Sequence, residues 1–189
     1  MVINFQGWVL YSAILLLILL LFVMKVLFKK SFAYLFFFSI MYIYLCFVID
    51  YTQFPIYTTE SMRRVLGPLF WQKNFNLIPF KGFSLETSLL NILLTMPFGF
   101  GLPFVYKTNF KRIVIASIMS GVIIESLQLI IGLINGFTFR VVDINDVIFN
   151  FIGSMIGYAI FVLFSKIFTT VVDKNKIQLN PLLKHIYKS

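Results

Sequence analysis

The sequence is short of the residues that most active sites and most soluble folds need. Among 189 residues there is one cysteine, Cys46, and one histidine, His185. A single cysteine excludes a disulfide framework within the chain and any cysteine-based zinc site. A single histidine leaves little for a histidine-led metal centre. Acidic residues are scarce as well: seven Asp and Glu face sixteen Lys and Arg, for a net charge of +9. Charged residues make up 12% of the chain, about half the ~25% of a typical soluble domain. These shortages exclude a disordered chain, a collagen or coiled-coil fibre and most soluble enzymes.

What is present instead is apolar. AVILMFWYC residues reach 60% and the mean hydropathy is +0.93, where soluble domains sit near ~45–50% apolar. The apolar residues fall in five runs: Trp8–Phe28, Phe32–Ile49, Thr87–Tyr106, Ile113–Ile134 and Val147–Val172. Each is long enough for a hydrocarbon core of about 30 Å at about 1.5 Å per residue. The expected fold is an all-α polytopic membrane bundle of five transmembrane helices. The first run reads as an uncleaved anchor. Residues 1–7 hold no Lys or Arg, and the run exceeds the ~7–15 residues of a signal-peptide core.

Basic residues punctuate the runs unevenly. The connections at 25–31 and 107–112, with the tail from Lys166 onward, hold eleven Lys and Arg; the alternate connections hold five. The positive-inside bias then puts the N-terminus outside and the C-terminus inside. The net charge becomes an orientation signal, and six of the seven acids fall on the outer side or in the outer half. Three stretches of one membrane domain follow: 1–75, two N-terminal helices with an outer loop; 76–172, a three-helix region; and 173–189, a basic cytoplasmic tail suited to anionic lipid. In the outer loop, Met62, Val65, Leu66, Leu69 and Phe70 repeat as one apolar helix face. That spacing fits an interfacial helix broken near Gly67, with Arg63, Arg64 and Trp71 toward headgroups. An ordered loop is the plainer alternative.

Polar residues inside hydrocarbon need a reason, since a charge there costs about 2.5–3.5 kcal/mol on insertion scales. Glu125 and Gln128 lie one turn apart on the fourth run. Arg140, Asp143 and Asp146 follow, and Asp143, Asp146, Asn150, Gly153 and Gly157 make a single stripe at helical spacing. Pairing the fourth and fifth helices antiparallel puts Glu125 and Gln128 near the level of Asn150 and Gly153, with the glycines letting the backbones approach. An outer polar cluster capped by Arg140 is expected. A structural account is also open: Asp143 as a helix N-cap, Asp146 at the positive helix end, Arg140 paired with a carboxylate, Gln128 and Asn150 as interhelical glue.

The third run carries a second signal. Asn76-Leu77-Ile78-Pro79-Phe80 precedes it, Asn91 lies within it, and Pro97-Phe98-Gly99-Phe100-Gly101 falls near mid-membrane. A kink or a broken helix is expected at Pro97, because proline lacks an N–H and clashes with the preceding turn. Gly99-Phe100-Gly101 lacks the third glycine and the strand–helix setting of a dinucleotide fingerprint. His185 on the tail cannot join the outer cluster, so Ser-His-Asp hydrolysis is not expected. Cys46 reads as a packed thiol. No catalytic residue, metal, cofactor or nucleic-acid partner is assigned.

The elements Asn76–Phe80, Asn91 through Pro97-Phe98-Gly99, Glu125-x-x-Gln128, and Arg140-x-x-Asp143-x-x-Asp146-x-x-x-Asn150-x-x-Gly153-x-x-x-Gly157 together resemble the VanZ-like family of small bacterial integral membrane proteins. The resemblance covers roughly 76–160. It implies a multi-pass protein of the bacterial cell membrane and a link to glycopeptide resistance, chiefly to teicoplanin. It supplies no catalytic residues. The leading expectation is a non-enzymatic protein of the cell envelope whose polar cluster binds a lipid-linked cell-wall precursor, or alters how a lipoglycopeptide reaches it. Two alternatives stay open, as does the oligomeric state. One is a membrane enzyme on a lipid-linked or polyisoprenoid phosphate, with Glu125, Asp143 and Asp146 holding Mg²⁺ or Glu125 acting as a general base. The other is a small transporter or scaffold subunit.

Overall fold

The computed structural model describes residues 2–58, 64–65, 75–137 and 140–189. In chain order these form β1 (Val2–Ile3), α1 (Trp8–Val26), α2 (Phe32–Gln53), β2 (Ile56–Tyr57), β3 (Phe75–Asn76), α3 (Leu85–Val105), α4 (Phe110–Asn135), β4 (Val142–Asp143), α5 (Ile144–Lys174) and α6 (Pro181–Tyr187). Helices α1 to α5 are each long and apolar enough to cross a membrane. The five apolar runs are thus five helices, and the all-α polytopic bundle is the architecture observed. Of the outer-loop helix expected around Gly67, most residues lie outside the described ones; Arg64 and Val65 are helical and exposed.

Local chemistry sets the helix ends. Side chains of Ser31, Ser84, Asn109 and Asn180 each accept the backbone N–H three residues on, satisfying a donor the helix leaves orphaned. Gly136 ends α4 at a φ of 72°, the left-handed conformation that glycine adopts without a Cβ penalty.

The packing is inverted relative to a soluble protein. The buried positions of α4 are Ile113, Ser117, Gly121, Glu125, Gln128 and Gly132. Those of α5 include Asn150, Gly153, Ser154 and Gly157. Leu15, Phe22, Phe32, Phe47, Leu93 and Leu163 stand exposed instead. Hydrocarbon gives leucine no incentive to hide, so helices associate through small residues and hydrogen bonds.

The most extensive helix pair is α3 with α5. A Cβ on Gly153 would strike the Ile92 carbonyl and Thr95 Oγ1; on Gly157, the Met96 carbonyl; on Gly99, the Ser154 carbonyl. The small-residue stripe of α5 therefore faces α3, not α4 as expected from the sequence. Helical spacing identifies a face but carries no information about which neighbour covers it. Helix α4 meets α5 elsewhere, where Gly121 lies against Val147.

Nor is α3 broken. It runs as one helix through Pro97 and Pro103. Pro97 has no N–H for the Leu93 carbonyl, and its ring disturbs the turn before it. Tyr44 of α2 serves that turn: its hydroxyl donates to the Leu94 carbonyl at 2.7 Å, and the Phe98 N–H faces the Tyr44 hydroxyl oxygen.

Two pairs of short strands gather one end of the bundle. β1 runs antiparallel to β2, with Val2 opposite Tyr57. β3 runs parallel to β4, with Asn76 opposite Asp143. At the other end α6 packs against α2 and α5. His185 Nε2 lies 2.7 Å from the Phe104 carbonyl, and its ring stacks on Phe37 at 5.2 Å between centroids. The basic tail is thus docked on the bundle by its one histidine.

Glycine packing gives a graded test. Gly99→Ala, Gly153→Ala and Gly157→Ala should each destabilise the detergent-solubilised protein by about 1–3 kcal/mol. Gly101→Ala should cost less, because its methyl would meet only the flexible Met41 terminus at 2.9 Å. Thermal melting of the four variants decides; equal losses at all four would refute the α3–α5 contact as the tight one.

Candidate functional site: a polar cluster at the strand-bearing end

Asp143 organises the start of α5. Its carboxylate accepts the Asn145 N–H at 2.8 Å, making it the N-cap. Both its oxygens also accept from Asn76 Nδ2 at 3.0 Å. Asn76 Nδ2 and Asn145 Nδ2 donate to the Lys81 carbonyl at 2.8 and 3.0 Å. The segment 76–81 is thereby strapped across the helix start. Within it, the Lys81 N–H closes on the Ile78 carbonyl at 3.2 Å, with Pro79 and Phe80 between. Phe80 has a φ of 63°, the value a type II turn requires at its second central residue and one that favours glycine. Its N–H donates to Asn145 Oδ1 at 2.6 Å, which holds the turn in place. Pro79 and Phe80 thus shape the strap, while their side chains stand exposed.

Glu125 reaches this strap from α4. It is 5% exposed, and its Oε2 accepts the Asp143 N–H at 3.0 Å. Its other oxygen, Oε1, is buried with no hydrogen-bond partner. Glu125, Asp143, Asp146 and Arg140 lie close enough to feel one another's charges. A groove of about 140 Å³ passes beside Glu125, bounded by Leu77, Asp143 and Val147.

One turn further along α4, Gln128 faces a different partner. Its Nε2 donates to the Thr52 carbonyl at 3.3 Å. Arg140 Nη2 donates to the Tyr51 carbonyl at 2.8 Å and to the Phe54 carbonyl at 3.4 Å. These carbonyls lie at the C-terminal end of α2, where no further turn supplies N–H groups. Tyr51 is a special case, since Pro55 sits four residues on and has no N–H to give. A guanidinium there also opposes the negative end of the helix dipole. Thr52, Gln53, Gln128 and Arg140 line a cavity of about 30 Å³, room for a water or two. Gln53 Oε1 and Gln128 Oε1 are both buried without a partner.

The remaining expected residues bind α3 to α5. Asn91 Nδ2 donates to Asp146 Oδ1 at 2.6 Å. One turn below, Thr95 Oγ1 donates to the Asn150 carbonyl at 2.8 Å, where Ser154 Oγ also donates at 3.0 Å. Asn150 is 1% exposed; its backbone carbonyl is held by Thr95 of α3, and no described hydrogen bond joins it to Glu125 or Gln128. The expected single cluster is therefore three groups: the Asp143 strap with Glu125, the α2 cap made by Arg140 and Gln128, and the α3–α5 seam of Asn91, Asp146 and Asn150.

Among the described residues, no three His, Cys, Asp or Glu side chains come together as a metal site. Glu125, Asp143 and Asp146, which the enzyme alternative would use for Mg²⁺, are not such a ligand set. Sequence reasoning overlooked Thr52, Gln53, Thr95 and Asn145. Thr52 and Gln53 were detectable as the polar residues just past the second apolar run. Asn145 was masked by the two acids beside it and lies off their stripe.

The geometry separates charge from hydrogen-bonding capacity at Glu125. Glu125→Leu leaves the Asp143 N–H without an acceptor and should lower stability by about 1–3 kcal/mol. Glu125→Gln keeps an acceptor and should stay folded. Thermal unfolding of both in one detergent is the check; equal stability of the two would show that the Asp143 contact is immaterial.

No match was found among curated proteins or among solved structures. The model of the VanZ/LLP1 family matches residues 8–165. That span includes α1 and α2 and so is wider than the 76–160 on which the motif resemblance rests. It takes in all three polar groups just described, and the chain belongs to the VanZ/LLP1 family.

Proposed function

We propose that this chain is a non-enzymatic protein of the bacterial cell membrane that binds the polar head of a lipid-linked envelope molecule at the strand-bearing end of its bundle. That end faces outward in this reading, because eleven of sixteen Lys and Arg fall in the opposite connections and tail. The ligand is a lipid-linked cell-wall precursor or an acylated glycopeptide such as teicoplanin, and the outcome is reduced drug action. The observation that carries the reading is the set of unpartnered, buried acceptors Gln53 Oε1, Gln128 Oε1 and Glu125 Oε1. A buried acceptor without a donor costs about 1–3 kcal/mol, so a head group bearing hydroxyl, amide or ammonium hydrogens gains by supplying them. Asn91, Asp143, Asp146 and Asn150 support the site by fixing α5 and its strap. In this reading the chain divides at 75 and 172: α2 brings Thr52 and Gln53 to the three-helix region, and the tail closes the far end.

Expression in a glycopeptide-sensitive host tests this. Wild-type chain should reduce teicoplanin susceptibility more than vancomycin susceptibility. Glu125→Gln, which keeps the oxygen that accepts the Asp143 N–H but replaces the unpartnered one with an NH₂ group, should remove that effect at unchanged membrane levels. No change toward either drug, with expression confirmed, overturns the resistance reading.

Orientation has its own test. In a Cys46→Ser background, Lys81→Cys should react with a membrane-impermeant thiol reagent in intact cells. Lys188→Cys should react only after permeabilisation. The reverse pattern would put the polar end inside.

A further inference from the structure

A cleft of about 280 Å³ opens between α2, α3 and α4. Along α4 it extends from Ala116 to Leu127, about 16 Å at the helical rise. That is close to one leaflet's share, about 15 Å, of a ~30 Å hydrocarbon core. Its walls carry four hydroxyls, and each donates to a backbone carbonyl: Tyr44 to Leu94, Thr52 to Val48, Thr95 to Asn150 and Ser120 to Ser117. Those hydroxyl hydrogens are therefore taken, and the rest of the wall is chiefly hydrocarbon. Water does not fill an apolar cavity of this kind.

The cleft has one polar end. Thr52 and Gln53 line both it and the cavity of about 30 Å³ beside Gln128 and Arg140. Gln53 and Gln128 are each 8% exposed, and their Oε1 atoms have no partner. An apolar slot one leaflet long thus ends at two buried acceptors that need donors. That is the outline of an amphiphile with a single hydrocarbon tail in the slot.

We propose that this cleft holds one acyl chain of a membrane lipid whose head group carries hydroxyl or ammonium hydrogens, donated toward Gln53 Oε1 and Gln128 Oε1. The proposal rests on the head-group donors of the reading above, narrows the ligand to an acyl lipid and adds the tail. The length match favours an acyl chain over a longer polyprenyl chain. A lipid of this kind enters sideways from its own leaflet and needs no aqueous path.

Photo-crosslinking tests it on the full chain in phosphatidylcholine vesicles, whose head groups carry no donor. Two probes carry a diazirine on the acyl chain: phosphatidylglycerol, whose head has hydroxyl donors, and phosphatidylcholine, whose head has none. Labelled residues are mapped by mass spectrometry. Helix α1 has no buried residue and gives the background of ordinary lipid contact. The phosphatidylglycerol probe should label Val48, Ile49 and the Ala116–Leu127 stretch above that background, and the phosphatidylcholine probe should not. Ala116→Phe and Ser120→Phe, which fill the slot, should each return labelling to the α1 level. Excess unlabelled phosphatidylglycerol should do the same in the wild-type chain, and a polyprenyl phosphate should not. Labelling no stronger than on α1, equal labelling by both probes, or displacement by polyprenyl phosphate would each overturn the proposal. The result is independent of drug susceptibility: cleft labelling with no resistance phenotype keeps the lipid site and rejects the resistance reading. Resistance without cleft labelling does the opposite.

Discussion

Where Gly153 and Gly157 of α5 meet Ile92, Thr95 and Met96 of α3, the glycines put no side chain of their own between the two backbones. In water such a seam would be a small part of a larger apolar core. Here hydrocarbon surrounds the bundle, and lipid tails are as good a neighbour for leucine as another helix is. Close backbone approach and hydrogen bonds are what remain to hold helices together. The seam supplies both, since Asn91 to Asp146 and Thr95 to the Asn150 carbonyl continue the same line of contact toward the strand-bearing end.

Fixing α5 fixes its N-terminus, and the rest of the polar end depends on where that terminus lies. Asp143 caps it and captures Asn76, so the 76–81 strap is positioned by the helix start. The strap then closes its turn over Asn145. Glu125 completes the arrangement by accepting the Asp143 N–H. Three carboxyl groups lie near the positive end of one helix dipole, whose field favours negative charge there, while charge on any one of them opposes charge on the others. Arg140 is the cation within that field. It simultaneously holds carbonyls of α2, so the charge balance of the cluster and the docking of α2 share one side chain.

The fold was readable because hydropathy alone marks helices that must satisfy their backbone internally. Each run became a helix within a few residues of its expected ends; α2, for example, continues past Ile49 to Gln53. Asp143 as an N-cap was also within reach, since its residue type and place before an apolar run carry that meaning. Partner choice was not. The stripe from Asp143 to Gly157 has a helical period whichever neighbour covers it, and only the assembled bundle assigns its positions from Asp146 onward to α3. Arg140 shows a second limit. Two of its partners are the carbonyls of Tyr51 and Phe54, and backbone groups have no letter of their own. Pro97 shows a third, because the hydroxyl serving its turn comes from Tyr44, fifty residues before the Leu94 carbonyl it reaches.

Hydrogen-bond completeness divides the polar residues by role more sharply than burial does. Both oxygens of the Asp143 carboxylate accept from Asn76, and one also caps α5. Asn145 uses its side-chain oxygen and nitrogen on the strap. Groups engaged in this way are fixed by the fold and add rigidity. Gln53, Gln128 and Glu125 are as deeply buried, but each directs one half of its polar head into the structure and leaves an oxygen over. Asn150 has such an oxygen too, yet it borders none of the cavities described, and its backbone carbonyl is tied into the α3–α5 seam. The other three border open space: a groove at Glu125, and at the two glutamines a cavity that runs on into an apolar cleft. A vacancy in the hydrogen-bond pattern beside accessible volume is what distinguishes a place for a ligand from interhelical glue: the first kind stands on α2 and α4, the second joins α3 to α5.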